Sequence, residues 1–226
     1  MAKKVIDKHK PKEEISLSSL EDYGVSIINL NGIYFRHFMQ LFQGYKLDGN
    51  GQLIEGINFI PIKCAGLTDC DPDKTAKPIS TQTCECKNHQ LYLQKEFEDN
   101  SDTCRLFTNL KTFEYDLALE GGNLKLMLEL FDNWLDTNGQ KKKQVGQWLT
   151  KDWSKATEQD KADAAYELLN HIETAQNKNG RKMGKGLFAQ KLAYQLDKDN
   201  TVEFEVPTYI EDAILWITKL KKDANS

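Results

Sequence analysis

The stretch that decides the fold is residues 59–72, which read FIPIKCAGLTDCDP. The part up to Thr68 is a short, continuous apolar run rich in β-forming side chains, which is typical of a buried strand. The run ends on Asp69 and Asp71, and alternate residues of an extended chain point to the same side. We therefore predict that both carboxylates face one spot beyond the carboxyl end of the strand, where open α/β sheets place their sites.

A second acidic pair has the same spacing. Glu114 and Asp116 follow another strand-like run, residues 103–108. Two such pairs at the strand ends of one sheet repel each other unless cations neutralise them, and carboxylates suit hard divalent cations and phosphate chemistry. The residues predicted to form a two-metal site are Asp69, Asp71, Glu114 and Asp116. The alternative is that the two pairs lie apart and only solvate loops.

The order of predicted elements favours an α/β protein with a mostly parallel sheet. A strand candidate at 25–31, a helix pattern at 33–42 and the strand at 59–68 suggest right-handed crossovers in the first half. The second half is helical, with apolar periodicity over 117–135, 158–175, 184–196 and 208–220.

These patterns predict two regions with flexible ends. The predicted division is a partial α/β domain at 17–120, a helical C-terminal region at 121–222, and flexible ends at 1–16 and 223–226.

Composition indicates a soluble globular protein. The chain has 226 residues, of which 39% are hydrophobic and 28% charged, and no apolar stretch reaches the length of a membrane span. No signal-peptide core follows Met1, so we expect a cytoplasmic protein with no membrane association. The five cysteines fit reduced thiols better than a disulfide framework. A zinc site at Cys84, Cys86 and His89 is an alternative, although this spacing matches no standard motif.

Basic residues are concentrated near one predicted helix start. The net charge of −4 argues against a general polyanion binder, but residues 174–196 contain no acidic side chain. Such a local positive field attracts a phosphate backbone, although it is also compatible with an ordinary solvated surface. The residues predicted to bind DNA are Lys178, Arg181, Lys182 and Lys191.

Lys185 lies between two glycines in the segment KMGKGLFA, residues 182–189. Backbone amides at a helix start attract anions, and glycines allow a phosphate to approach closely. The predicted role of Lys185 is to stabilise charge on a phosphoryl group or to protonate a leaving oxygen. The alternative is a solvated lysine at an ordinary helix start.

Several segments occur in the order found in the Toprim domain of the overcoming-lysogenisation-defect (OLD) nucleases, which they resemble. They are LEDYGVSIINLNG at 20–32, TDCD at 68–71, TFEYDLAL at 112–119, and KGLFA at 185–189 with VPTYIEDAI at 206–214. The resemblance covers about residues 17–220. It implies a Toprim-like, mostly parallel sheet flanked by helices and followed by a helical C-terminal region.

The resemblance also implies a function, a metal-dependent DNA endonuclease that hydrolyses phosphodiesters with Mg²⁺ or Mn²⁺. Lys185 would be the catalytic lysine, and the two acidic pairs would be the metal ligands. Full-length relatives carry an ABC-type ATPase, and some act in defence against phage. DNA and an ATPase part or subunit are therefore the expected partners, and a homodimer stays open.

One departure from the family pattern affects the expected activity. The family's Toprim core begins with a strand that ends in Glu-Gly, and no such strand precedes Leu17 in this sequence. The ATPase segment is also missing from it, so we expect an incomplete metal site and little or no activity without the missing part. The alternatives are a non-catalytic DNA-binding or assembly module, and another Toprim activity such as primase or topoisomerase chemistry.

Overall fold

The architecture is that of a computed structural model, in which the described residues are 1–13, 16–30, 35–43, 50, 52, 60–80, 93, 96–97, 103–135, 139–177, 179–199 and 202–222. The chain divides into two compact units. The sheet unit comprises Met1–Cys70, Cys86–Asn109 and Thr208–Ser226, and the helical unit comprises Asp71–Glu85 and Leu110–Pro207. This division differs from the predicted boundary at residue 120, because the last helix belongs to the unit that contains the strands.

The sheet unit contains a small parallel sheet. Its strands are β1 (Cys64–Thr68) and β2 (Cys104–Thr108), which pair in parallel with Cys64 opposite Cys104. The helices of this unit are α1 (Ala2–His9), α2 (Phe35–Gln40) and, near the end of the chain, α8 (Thr208–Thr218). Helix α8 packs against both strands and against α1, and Trp216 contacts Phe107 at a ring-centroid distance of 6.1 Å.

The helical unit is built from five helices within the described residues. They are α3 (Phe113–Leu119), α4 (Asn123–Asp132), α5 (Gln140–Thr150), α6 (Glu158–Thr174) and α7 (Gly184–Lys198). Their apolar faces enclose one core that includes Tyr115, Leu128, Phe131, Leu168 and Phe188. The start of α6 is well defined, because Thr157 and Asp160 form a reciprocal capping box.

The α/β class is confirmed at a coarse level. The described residues are mostly helical, and their sheet has two strands. The predicted strands at 59–68 and 103–108 contain β1 and β2, and the predicted helices at 158–175, 184–196 and 208–220 match α6, α7 and α8. Helix α5 was missed because it begins with five consecutive lysines and glutamines, which interrupt the apolar period.

Other local predictions are wrong. Residues 25–30 form no strand, and Ile27 and Ile28 are 79% and 60% exposed. The chain start is not frayed over α1, because Val5 and Ile6 are buried there. The predicted flexible end at 223–226 lies outside the described residues. Within the described part of the chain, no helix combines the length and apolar character that crossing a membrane requires.

The predicted long helix at 117–135 is divided into α3 and α4. Gly121 between them has φ +44°, a left-handed conformation that favours glycine. A Cβ at this position would lie within 2.8 Å of the Glu205 carboxylate. The chain therefore turns sharply here, and α3 is a separate short helix that carries the second acidic pair.

Candidate active site

The second acidic pair lies in the first turn of α3 rather than on an extended chain. Side chains two positions apart on a helix point about 200° away from each other. Glu114 and Asp116 therefore have different surroundings. The i, i+2 spacing of this pair therefore does not place both carboxylates on one side, as it would in an extended chain.

Asp116 holds the backbone that leads into α3. Its Oδ1 accepts the Leu110 N–H at 2.8 Å, and its Oδ2 accepts the Lys111 N–H at 3.1 Å. The residue is 6% exposed, and the N-cap residue Thr112 makes no side-chain cap hydrogen bond. Asp116 thus satisfies two backbone amides of the segment that leads into α3.

Glu114 contacts Lys185, the predicted catalytic lysine, which lies at the start of α7. Lys185 Nζ is 3.5 Å from Glu114 Oε2 and 3.4 Å from Glu173 Oε1. Burial by itself would lower the pKa of Lys185, but the two carboxylates together hold that pKa above its ordinary value. Lys185 is therefore an ammonium ion at neutral pH, suited to stabilise negative charge and unsuited to accept a proton. Its side chain is 37% exposed, so an anion can reach it.

The first acidic pair is divided between the two units. In the sheet unit, Asn109 donates to Asp69 Oδ1 at 2.5 Å and accepts the Cys70 N–H at 2.9 Å. In the helical unit, Asp71 is exposed and its N–H donates to the Lys111 carbonyl at 3.0 Å. Asp71 has φ +48°, so the extended backbone assumed for the Asp69 and Asp71 pair does not continue through it.

Three further residues, which are not among the predicted site residues, take part in the hydrogen bonds and ion pairs around the acidic pairs. Asn109 directly follows β2, and a polar residue just after a strand is a usable signal at a sheet end. Lys111 is 5% exposed, and its Nζ donates to the carbonyl oxygens of Asp73, Lys74 and Ala76 at 2.9–3.1 Å. It anchors the segment that contains Asp71. Glu173 lies in the last turn of α6, and no local pattern links it to Lys185.

Both acids of the second pair are engaged with partners in the structure. Asp116 accepts backbone N–H groups with both oxygens, and Glu114 pairs with an ammonium ion. Within the ranges described above, no group of three or more His, Cys, Asp or Glu side chains could hold a metal ion. The two-metal site formed by Asp69, Asp71, Glu114 and Asp116 stays a prediction.

Two of the four predicted DNA-binding residues are exposed on a hairpin next to Lys185. The Asn177 N–H donates to the Arg181 carbonyl, and Gln176 bridges Lys182 in antiparallel fashion. Arg181 and Lys182 are exposed. Lys191 has its ammonium 5.7 Å from the centre of the Trp134 ring. Lys178 lies outside the described residues.

The cysteines follow the prediction only in part. Cys64 and Cys104 are free thiols. Cys70 is disulfide-bonded, so the prediction of reduced thiols throughout is wrong at this position. Cys84, Cys86 and His89, the alternative zinc ligands, lie outside the described residues.

The arrangement can position an anion. Lys185 supplies a protonated, partly exposed ammonium, and Arg181 and Lys182 extend positive charge along the same segment of the chain. The Glu114 carboxylate holds the Lys185 side chain in place. Comparison with models of protein families, with curated proteins and with solved structures finds no match to this chain.

Proposed function

We propose that this chain is the nuclease part of an OLD-type, Toprim-like DNA endonuclease that is weak or inactive without an ATPase part. The contact between Lys185 and Glu114 carries the proposal. These residues come from two separate motifs, 112–119 and 185–189, that the resemblance assigns to catalysis. Their side chains lie 3.5 Å apart although 71 positions separate them in sequence.

Lys185 has a defined role in this proposal. Its pKa is raised, so it stays protonated as a phosphodiester is attacked and negative charge builds up on the phosphoryl oxygens. A fixed ammonium near those oxygens stabilises the transition state more than the ground state. Glu114 and Glu173 restrict the motion of Lys185, which keeps its position defined before substrate binds.

Mg²⁺ or Mn²⁺ is the proposed cofactor of the complete nuclease. Among the described acids of the helical unit, Asp116 is engaged with backbone amides and Glu114 with Lys185. In the proposal, the cation site is completed by ligands from the partner part or subunit. Asp116 acts by holding the backbone before α3, which positions Glu114.

The proposed partners are DNA and an ABC-type ATPase part or subunit, with a homodimer as a further possibility. A role in phage defence and a cytoplasmic location belong to the same proposal, and the resemblance alone supports them. The disulfide at Cys70 weighs against a reducing compartment, because stable disulfides are rare in the cytoplasm.

A second candidate is a non-catalytic DNA-binding or assembly module. The observation that favours it is the engagement of Asp116, a predicted metal ligand, with two backbone N–H groups. A residue used in this way stabilises the fold whether or not a cation binds. The exposed Arg181 and Lys182 serve DNA binding equally well in both candidates.

A combined binding and cleavage assay distinguishes the candidates. Binding of labelled duplex DNA is measured by anisotropy at increasing salt, and nicking of plasmid DNA is measured with Mn²⁺. We expect binding that weakens with salt, and weak nicking that Lys185→Ala abolishes without loss of binding. Lys182→Glu should weaken DNA binding itself, because it replaces a positive charge near the DNA phosphates with a negative one.

Lys155→Glu is the matched control. It makes the same charge reversal in the same unit, at a side chain that is 83% exposed, and should leave nicking unchanged. Binding without nicking, both by this chain alone and with an ATPase subunit added, would support the non-catalytic module. Absence of DNA binding at low salt would overturn the nuclease and the DNA-binding module and leave only the assembly module. Normal nicking by Lys185→Ala would overturn the catalytic role of Lys185.

A further inference from the structure

Three sulfur atoms lie together in the sheet unit. The parallel register places Cys64 directly opposite Cys104, and residues that are opposite in a sheet project on the same face. The two cysteine side chains therefore lie next to each other on one face of the sheet. Cys64 Sγ is also 3.6 Å from Met39 Sδ.

Helix α2 holds Met39 over the strands. Met39 is 1% exposed, and Cys104 Sγ is 3.4 Å from the Met39 carbonyl oxygen. Gly66 lies two positions after Cys64 and therefore on the same face of β1. A Cβ at residue 66 would lie only 2.7 Å from both Met39 Sδ and Met39 Cε. The missing side chain of Gly66 is thus what allows the thioether to lie beside the Cys64 thiol.

We propose that Met39, Cys64 and Cys104 form a site for a soft monovalent cation of the Cu(I) class. Two thiols and a thioether are the ligands that select Cu(I), whereas hard cations prefer oxygen ligands. Metal–thiolate bonds of about 2.3 Å place the sulfurs of a trigonal site about 4 Å apart. The observed distance of 3.6 Å between Cys64 Sγ and Met39 Sδ is close to this spacing. A small movement of the flexible methionine side chain would bring the two into agreement.

Access and protonation are compatible with binding. Cys64 is only partly buried while Cys104 is 1% exposed, so a cation can enter from the Cys64 side. Each thiol that becomes a thiolate ligand releases one proton to solvent, and no electron transfer is required. The site uses other residues than the proposed nuclease function and does not depend on it.

The test is a Cu(I) titration of the full chain under oxygen-free conditions against a colorimetric Cu(I) chelator. We expect one tight site in the unchanged chain. Cys64→Ser and Cys104→Ser should each lower the Cu(I) affinity by about a hundredfold or more. Met39→Leu keeps the side-chain volume and should weaken binding by about tenfold. The matched control is Met127→Leu, at a methionine of the helical unit that is also 1% exposed, and it should bind Cu(I) like the unchanged chain.

A second measurement keeps the proposal testable if a cysteine variant does not fold. Bound Cu(I) should slow alkylation of Cys64 in the unchanged chain, as mapped by mass spectrometry, and X-ray absorption should show only sulfur ligands. Equal Cu(I) affinity in Cys64→Ser, or unchanged alkylation of Cys64 in the presence of Cu(I), would overturn the proposal.

Discussion

The sheet unit and the helical unit bring their chemical groups together by different means. In the sheet unit, parallel register places Cys64 opposite Cys104, so partners project on one face. In the helical unit, the rotation of α3 separates Glu114 from Asp116, whereas Cys64 and Gly66, which have the same spacing in sequence, share one face of β1. Residues at i and i+2 thus project on the same face of a strand but on different faces of a helix.

The two units also differ in the kind of interaction that positions their functional residues. Close packing of apolar and sulfur groups around Gly66 positions the Met39 thioether. In the helical unit, the Asp116 carboxylate accepts two backbone N–H groups before α3, and the Lys111 ammonium donates to backbone carbonyls of the segment that contains Asp71. We therefore expect the helical unit to be most sensitive to loss of polar partners, and the sheet unit to be most sensitive to added volume.

The largest expected effect is that of Lys111→Met. The change removes an ammonium that donates to three carbonyl oxygens, and hydrogen bonds from a buried charged group are costly to lose. We expect the free energy of unfolding to fall by about 3 kcal/mol in urea titration. Lys74→Met, at an exposed lysine of the same segment, should change it by less than about 0.5 kcal/mol. Equal effects of the two changes would contradict the anchoring role of Lys111.

Asp116→Asn tests the distinction between the two acids of α3. An amide nitrogen in place of one carboxylate oxygen would face a backbone N–H, so we expect a loss of about 2 kcal/mol in the free energy of unfolding. Glu114→Gln is the control, since its partner Lys185 is partly exposed and surface ion pairs contribute less than about 1 kcal/mol. A larger loss for Glu114→Gln than for Asp116→Asn would reverse the assignment of roles.

A pair of glycine substitutions compares packing in the two units. Gly66→Ala places a Cβ 2.7 Å from the Met39 thioether, and overpacking of this kind costs about 1–3 kcal/mol. Gly146→Ala, inside α5, meets no atom within 4 Å and should stabilise the protein by about 0.5 kcal/mol through helix propensity. Thermal melting of both variants gives the sign of each effect. A stable Gly66→Ala protein would mean that the sulfur group is loosely packed.

The smallest expected effect is a pH dependence of stability that comes from Glu211 in the sheet unit. Burial would raise the pKa of Glu211, but His9 Nε2 at 2.8 Å and the ammonium of Lys8 at 2.9 Å hold it below the ordinary value of 4.5. A carboxyl with a lowered folded-state pKa contributes stability above its unfolded-state pKa and loses it as pH falls through the folded-state value.

Melting temperature measured as pH falls below 4.5 should therefore decrease less steeply in Glu211→Gln than in the unchanged chain. Glu203→Gln removes the same charge at an exposed position and should keep the original slope. Identical slopes for the unchanged chain and Glu211→Gln would show that the contacts between α1 and α8 do not depend on this carboxylate.

Much of the fold was predictable because its signals are local. The apolar period and the Thr157 capping box mark α6, Pro207 precedes α8, and the apolar runs before Asp69 and Asn109 mark β1 and β2. Residues 25–30 were predicted as a strand on the same kind of signal, yet Ile27 and Ile28 are exposed. Strand formation needs a pairing partner as well as β-forming side chains, and such a partner is not visible in a local pattern.

The candidate site was predictable only as a set of residue types. Lys185 and Glu114 were both identified from motifs, and their contact required α7 and α3 to pack in one unit. Glu173 joins them from α6, and no spacing in the sequence relates it to either residue. The role of Asp116 was also hidden, because its partners are backbone amides whose positions depend on the turn before α3.

Local sequence therefore specifies where this chain forms helices and strands, since side-chain periodicity, caps and turn residues act over a few positions. The pairing of Cys64 with Cys104, the ion pair of Lys185 with Glu114 and the anchoring of residues 73–76 by Lys111 come from the packed structure. Each joins groups at least 35 positions apart. Such contacts form only when burial of the surrounding apolar surface offsets the entropy lost in ordering the chain between them.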